Sequence, residues 1–127
     1  MNIGDTKLKG LNIFEPKVFE DIRGKFIKTF TNDFFKENGL DVNIKETYYS
    51  ISNKDVIRGM HFQTPPYDHL KLVYVPHGKI LDVVLDIRKD SDTYGKYFSI
   101  ELSANNVKVL IIPKGFAHGF KSLEDNT

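Results

Sequence analysis

From Tyr48 onward the chain breaks into short β-branched and aromatic runs, and nowhere does it sustain a helical apolar period. Strands are predicted at Tyr48–Ser52, Val56–Phe62, Leu70–Pro76, Lys79–Ile87, Lys96–Ser103, Val107–Ile112 and Phe116–Leu123. Turn-forming residues separate them: Ser52-Asn53-Lys54-Asp55, Thr64-Pro65-Pro66, His77-Gly78, Lys89-Asp90-Ser91-Asp92 and Ala104-Asn105-Asn106. Within Lys96–Ser103 the alternation points Phe98, Ile100 and Leu102 inward and Ser99 and Glu101 outward. One short helix is predicted at Asp33–Asn38, with Thr31 or Asn32 as its N-cap and Gly39 as its stop. Strands spaced by about 8–12 residues with a single short helix predict an all-β chain, a sandwich or jelly-roll barrel.

Composition limits what such a barrel can do. The 127 residues are expected to form one domain, spanning 1–127, large enough to bury roughly two-thirds of the unfolded surface. Eighteen basic and 17 acidic residues are interspersed, so no basic stripe invites nucleic acid or an anionic membrane. Cysteine is absent, which excludes disulfides and thiolate metal sites and suits a reducing compartment. Met1–Gly10 lacks the apolar run of a signal peptide, and runs such as Leu72–Val75 and Val109–Ile112 are too short to span a bilayer. A cytoplasmic location with no membrane partner is the expectation.

Two histidine-bearing segments carry the chemistry: Arg58-Gly59-Met60-His61-Phe62-Gln63 and Pro113-Lys114-Gly115-Phe116-Ala117-His118-Gly119-Phe120. Lys71 lies between them, shortly before Gly78. A small barrel could bring His61, Lys71 and His118 into one pocket, a set suited to proton transfer on a small polar substrate. A lone strand histidine is more often structural than catalytic, so neither histidine decides the matter by itself. Alternation places His61 and Gln63 on one side. Arg58 falls on the other side unless Gly59 supports a bulge.

The arrangement resembles the two cupin motifs, where H-x-H and a later Glu are followed by a further His. Here His61, Gln63, Lys71 and His118 occupy those places, so an amide and an ammonium replace two metal ligands. The resemblance therefore implies a cupin-type jelly roll that binds no metal, since an ammonium repels a divalent cation.

A longer set of motifs is more specific: Asp21-Ile22-Arg23-Gly24 with Phe26, Arg58 to Gln63, Lys71-Leu72-Val73, Gly78 to Val83, Asp86-Ile87-Arg88, Ser91 to Gly95 and Pro113 to Phe120. In this order they resemble the dTDP-4-dehydrorhamnose 3,5-epimerase family, with coverage from about Leu11 to Thr127. The resemblance implies epimerisation at C3, C5 or both of a nucleotide-linked 4-keto-6-deoxyhexose in surface-sugar synthesis. His61 would be the general base, Lys71 the cation that stabilises the enolate oxygen, and His118 a second polar group at that site. Arg23 and Arg58 match pyrophosphate contacts, while Phe26 and Gln63 match substrate-binding positions. No cofactor is implied. Arg23 would reach a neighbouring subunit, which implies a homodimer.

Plainer alternatives stay open. Arg23 could merely hold its own turn, and Phe26 taken alone reads as core. Lys28, Glu46 and Tyr48 stand where the family commonly has Glu, Gln and Asn around the nucleotide base. Family members also continue beyond the His118 strand, where they carry a tyrosine acid and the carboxylate partner of the base. None of the six tyrosines here follows His118. The expectation is a chain that binds substrate and turns over poorly alone. A non-catalytic sugar-nucleotide binder and a 3,4-ketoisomerase are the competing readings.

Overall fold

The computed structural model describes residues 1–127. Ten strands and one helix follow in order: β1 (Asn2–Asp5), β2 (Asn12–Glu15), β3 (Val18–Asp21), β4 (Gly24–Ile27), α1 (Asn32–Glu37), β5 (Ile57–His61), β6 (Lys71–Val73), β7 (Lys79–Asp86), β8 (Tyr97–Ser103), β9 (Val109–Ile112) and β10 (Phe116–Ser122). Two four-stranded sheets, ordered β1-β2-β9-β6 and β5-β10-β7-β8, form the body, and β3 pairs only with β4. All the ladders are antiparallel. No helix is long and apolar enough to cross a membrane.

Strand parity explains how the sheets pack. Leu110 and Ile112 of β9 belong to one buried cluster with Ile80, Val84, Leu102 and Phe116, which fills the space between the two sheets. Val109 and Ile111 belong to a second cluster with Phe14, Phe35 and Val42, on the opposite face of the first sheet. All four β9 residues are therefore buried, and the strand reads as an unbroken apolar run. Helix α1 covers that outer face through Phe35, whose ring meets Phe14 edge-on at 5.0 Å. Gly39, at φ +78°, sits just past the helix in the left-handed conformation that glycine adopts freely.

Several expectations need correction. Tyr48–Ser52 forms no strand: Tyr48, Tyr49 and Ile51 are exposed, and only Ser52 exchanges backbone bonds, with Thr127 at 2.8 and 3.1 Å. Strand-favouring side chains without a partner ladder do not make a strand. The predicted Leu70–Pro76 strand shortens to Lys71–Val73, and Val107 lies outside β9 at φ +56°. The amino-terminal strands β1 to β4 went unpredicted. Predicted and observed alternation agree in β8, where Leu102 is fully buried and Ser99 and Glu101 are exposed.

The inner row of β7 carries two acids among its apolar residues, and Asp86 shows how one is accommodated. Its side chain is buried and accepts hydrogen bonds from Arg88 Nε and Nη2 at 3.0 and 2.9 Å, Ser91 Oγ at 2.6 Å and Thr93 Oγ1 at 2.5 Å. Burial alone would raise its pKa, but donation from Arg88, Ser91 and Thr93 outweighs burial and holds the carboxyl well below 3.8. Asp86→Asn should cost about 3 kcal/mol in denaturant unfolding at neutral pH. Because the folded pKa is depressed, that contribution is present above the unfolded value and is lost as pH falls through the folded one. The gap between wild type and variant should therefore close in acid. A loss under about 0.5 kcal/mol at neutral pH would show that the network contributes nothing to stability.

Candidate active site

Cross-strand partners in an antiparallel ladder share a face. Phe116, His118 and Phe120 of β10 pair with Asp86, Val84 and Asp82 of β7, and all six side chains belong to the inner row. His118 also pairs with His61 on β5. From the opposing sheet, Lys71 pairs with Ile112, whose side chain lies in the inter-sheet core, so Lys71 projects inward too. Three strands from two sheets thus direct His61, His118 and Lys71 into one end of the barrel.

Arg58 joins this face through an irregularity. Between the His118–His61 and Phe120–Arg58 pairs the register shifts, leaving an extra residue on β5. That bulge reverses the parity that would otherwise place Arg58 opposite His61. It is centred on Gly59, at φ +105°, where an added Cβ would lie 2.6 Å from the His118 carbonyl oxygen and 2.8 Å from Gly119 Cα. Only glycine permits both that φ and that approach. Arg58 Nε then donates to Ser52 Oγ at 3.1 Å, and Ser52 is buried.

The electrostatics follow from burial and mutual proximity. Desolvation lowers the pKa of His61 below 6.5, with Lys71 and His118 adding to the effect. A depressed pKa keeps this imidazole neutral, as a base requires. Lys71 is likewise pushed below 10.5 by burial, while Asp82 opposes the shift. His118 is buried, and its Nε2 meets Asp82 Oδ2 at 2.7 Å. No three histidine, aspartate or glutamate side chains gather to hold a metal. With an ammonium in their midst and His118 Nε2 engaged by Asp82, the residues present do not fit a cation.

The remaining predicted residues lie elsewhere. β5 ends at His61, ahead of a Pro65-Pro66 turn that cannot continue a ladder, so Gln63 is exposed in the connection and does not follow the strand alternation. Arg23 tips the β3–β4 hairpin, where its guanidinium grips Asp21 at 2.6 to 3.2 Å and is 86% exposed. Phe26 is not core: it stands on the same hairpin, exposed, with its ring 6.3 Å from Phe19. Within one chain, Arg23 and Phe26 therefore do not join His61.

Comparison with known proteins places this arrangement. The dTDP-4-dehydrorhamnose 3,5-epimerase family model matches residues 5–127. The chain belongs to that family. It is 46% identical to the Shigella flexneri dTDP-4-dehydrorhamnose 3,5-epimerase, over 98% of this chain and 70% of that protein. Against the Methanothermobacter thermautotrophicus enzyme of the same name it is 47% identical, over 94% of this chain and 64% of that protein. Its fold superposes with a TM-score of 0.93, at 39% identity, on a Legionella pneumophila 3,5-epimerase solved with dTDP-4-keto-L-rhamnose, covering 98% of this chain and 66% of that one. The chain thus spans about two-thirds of the length of these relatives. Family members so named are isomerases, and the barrel is the cupin-type jelly roll.

Two residues of the site escaped sequence reasoning. Asp82 lies inside a motif that pointed to the family, yet it was not singled out as a site residue. The available signal was parity: in Ile80, Asp82, Val84 an acid falls on an apolar inner row. Ser52 offered no comparable signal, because its role depends on a chain segment docking beside Arg58.

Proposed function

We propose that this chain epimerises a nucleotide-linked 4-keto-6-deoxyhexose at C3, C5 or both. His61 removes a proton from the carbon beside the C4 ketone, Lys71 stabilises the enolate oxygen, and His118 assists at the same centre. The observation that carries this reading is the convergence of an imidazole held below its ordinary pKa and a partly buried ammonium from opposing sheets. A cation held in a poorly hydrated site is suited to charge that develops only in the transition state. The substrate's own ketone acidifies the neighbouring C–H bond, so the chemistry calls for no redox cofactor and no metal. The enolate is then reprotonated, and a proton delivered to the opposite face inverts the centre.

Arg58, on the same face as His61, would bind the pyrophosphate through its guanidinium fork. Arg23, Phe26 and Gln63 complete the proposed substrate contacts. For Arg23 and Phe26 the hairpin must reach beyond its own chain, and its exposed Phe19, Ile22 and Phe26 favour an apolar partner such as a second copy. A homodimer exchanging hairpins is the assembly this supports.

Incubation with dTDP-4-keto-L-rhamnose in heavy water tests the reading. Deuterium should enter the sugar beside the ketone, at C3, C5 or both, only when the protein is present. Saturable binding of the nucleotide sugar without deuterium uptake would make the chain a binder and end the catalytic assignment.

A further inference from the structure

The inner row of β7 holds a second acid whose surroundings differ from those of Asp86. Asp82 is fully buried between Ile80 and Val84, Oδ2 faces His118 Nε2 at 2.7 Å, and Oδ1 accepts no hydrogen bond. A buried carboxylate with an idle oxygen is costly, and a hydrophobic residue would suit the apolar row. The groups that face it are cationic or imidazole: His118 from β10 and Lys71 from β6, with His61 on β5 beside both. No other acid bears on Lys71. Thus one carboxylate, shielded from water, contacts His118 and acts electrostatically on Lys71, the group assigned to the enolate oxygen.

We propose that Asp82 is a positioning residue of the epimerase site, fixing the tautomer of His118 through Nε2 and holding Lys71 in its ammonium form. The proposal rests on the functional reading above and deepens it. Burial pushes the Asp82 carboxyl above 3.8, and His118 and Lys71 oppose that shift. As an ionised carboxylate it only accepts, and Nε2 then carries the proton of that bond. In the neutral ring Nδ1 is then the bare nitrogen, able to accept from a substrate hydroxyl, while the enolate oxygen falls to Lys71 alone. Burial works against the Lys71 charge, and an opposite charge in a poorly hydrated interior counters it. Asp82 therefore touches no substrate, yet it sets the proton inventory of two groups that do.

The test joins NMR to kinetics. In wild type carrying ¹⁵N-histidine, His118 should show a protonated Nε2 and an unprotonated Nδ1. In protein labelled with ¹³Cε-lysine, with Lys71 assigned by its absence from Lys71→Arg, Asp82→Asn should move the Lys71 titration to lower pH. The basic limb of the deuterium-exchange profile should move with it, and KM should change little. An unchanged Lys71 titration with a uniformly reduced rate would make Asp82 merely structural. If Asp82→Asn does not fold, the wild-type tautomer decides: a protonated Nδ1 with a bare Nε2 overturns the proposal. Wild type that shows the expected tautomer but no exchange would sink the functional reading and leave the Asp82–His118 arrangement standing.

Discussion

Replacing His61 with alanine should reduce substrate-dependent deuterium exchange by about 10²–10⁴-fold while leaving the protein folded and able to bind nucleotide. The expectation of an intact fold comes from position. His61 lies on β5, an edge strand exposed along its whole length, and contributes no side chain to either buried cluster. Surface substitutions of this kind change stability by about 0.5 kcal/mol or less. The backbone is held instead by the Gly59–Gly119 approach, which the substitution leaves alone. A melting temperature near wild type together with lost exchange would mark His61 as chemical rather than structural. Near-native exchange in the folded variant would remove it from the role of base.

Lys71→Met should cost about 10²–10³-fold in the same assay, the scale on which a single preorganised oxyanion partner contributes. Methionine keeps much of the stem that packs along the lumen and removes only the charge. The substitution also has a second effect with a definite sign. Lys71 helps to hold the His61 pKa below 6.5, so its removal lets that pKa rise. The base is active when neutral, and the acid limb of residual exchange should therefore move to higher pH. In wild type that limb lies below pH 6.5, and the basic limb, set by loss of the Lys71 proton, lies below 10.5. A residual rate with an unshifted acid limb would show that the two groups do not share a site.

The pairing of Lys71 with His61 could be anticipated in part. Spacing and residue type nominated His61, Lys71 and His118 as a set suited to proton transfer, and the family resemblance implied their roles as base and cation beside a ketone. Sequence could not say that Lys71 arrives from the sheet opposite the histidines, since that follows from the β6–β9 ladder placing Lys71 beside Ile112. Arg58 shows the same limit more sharply. Parity along an ideal strand sends it away from His61, and a register shift at Gly59 brings it back. A one-residue bulge changes the face of everything before it, so its presence is a property of the paired strands together.

The sequence by itself determined the class of the fold and the chemistry on offer. Short alternating runs, recurrent turn residues and one short helix are local signals, written in neighbouring residues. They did not reveal β1 to β4, and they misled at Tyr48–Ser52, where suitable side chains found no ladder. Tertiary structure alone decided that Arg23 and Phe26 stand on a hairpin away from the His61 cluster. It also decided that Gln63 leaves the strand, and that Asp82 lies buried against His118. The physical reason is that hydrogen bonds between strands and burial between sheets are made by residues far apart in sequence. Which side chains meet, and which charges lose their water together, is settled only when those partners are in place.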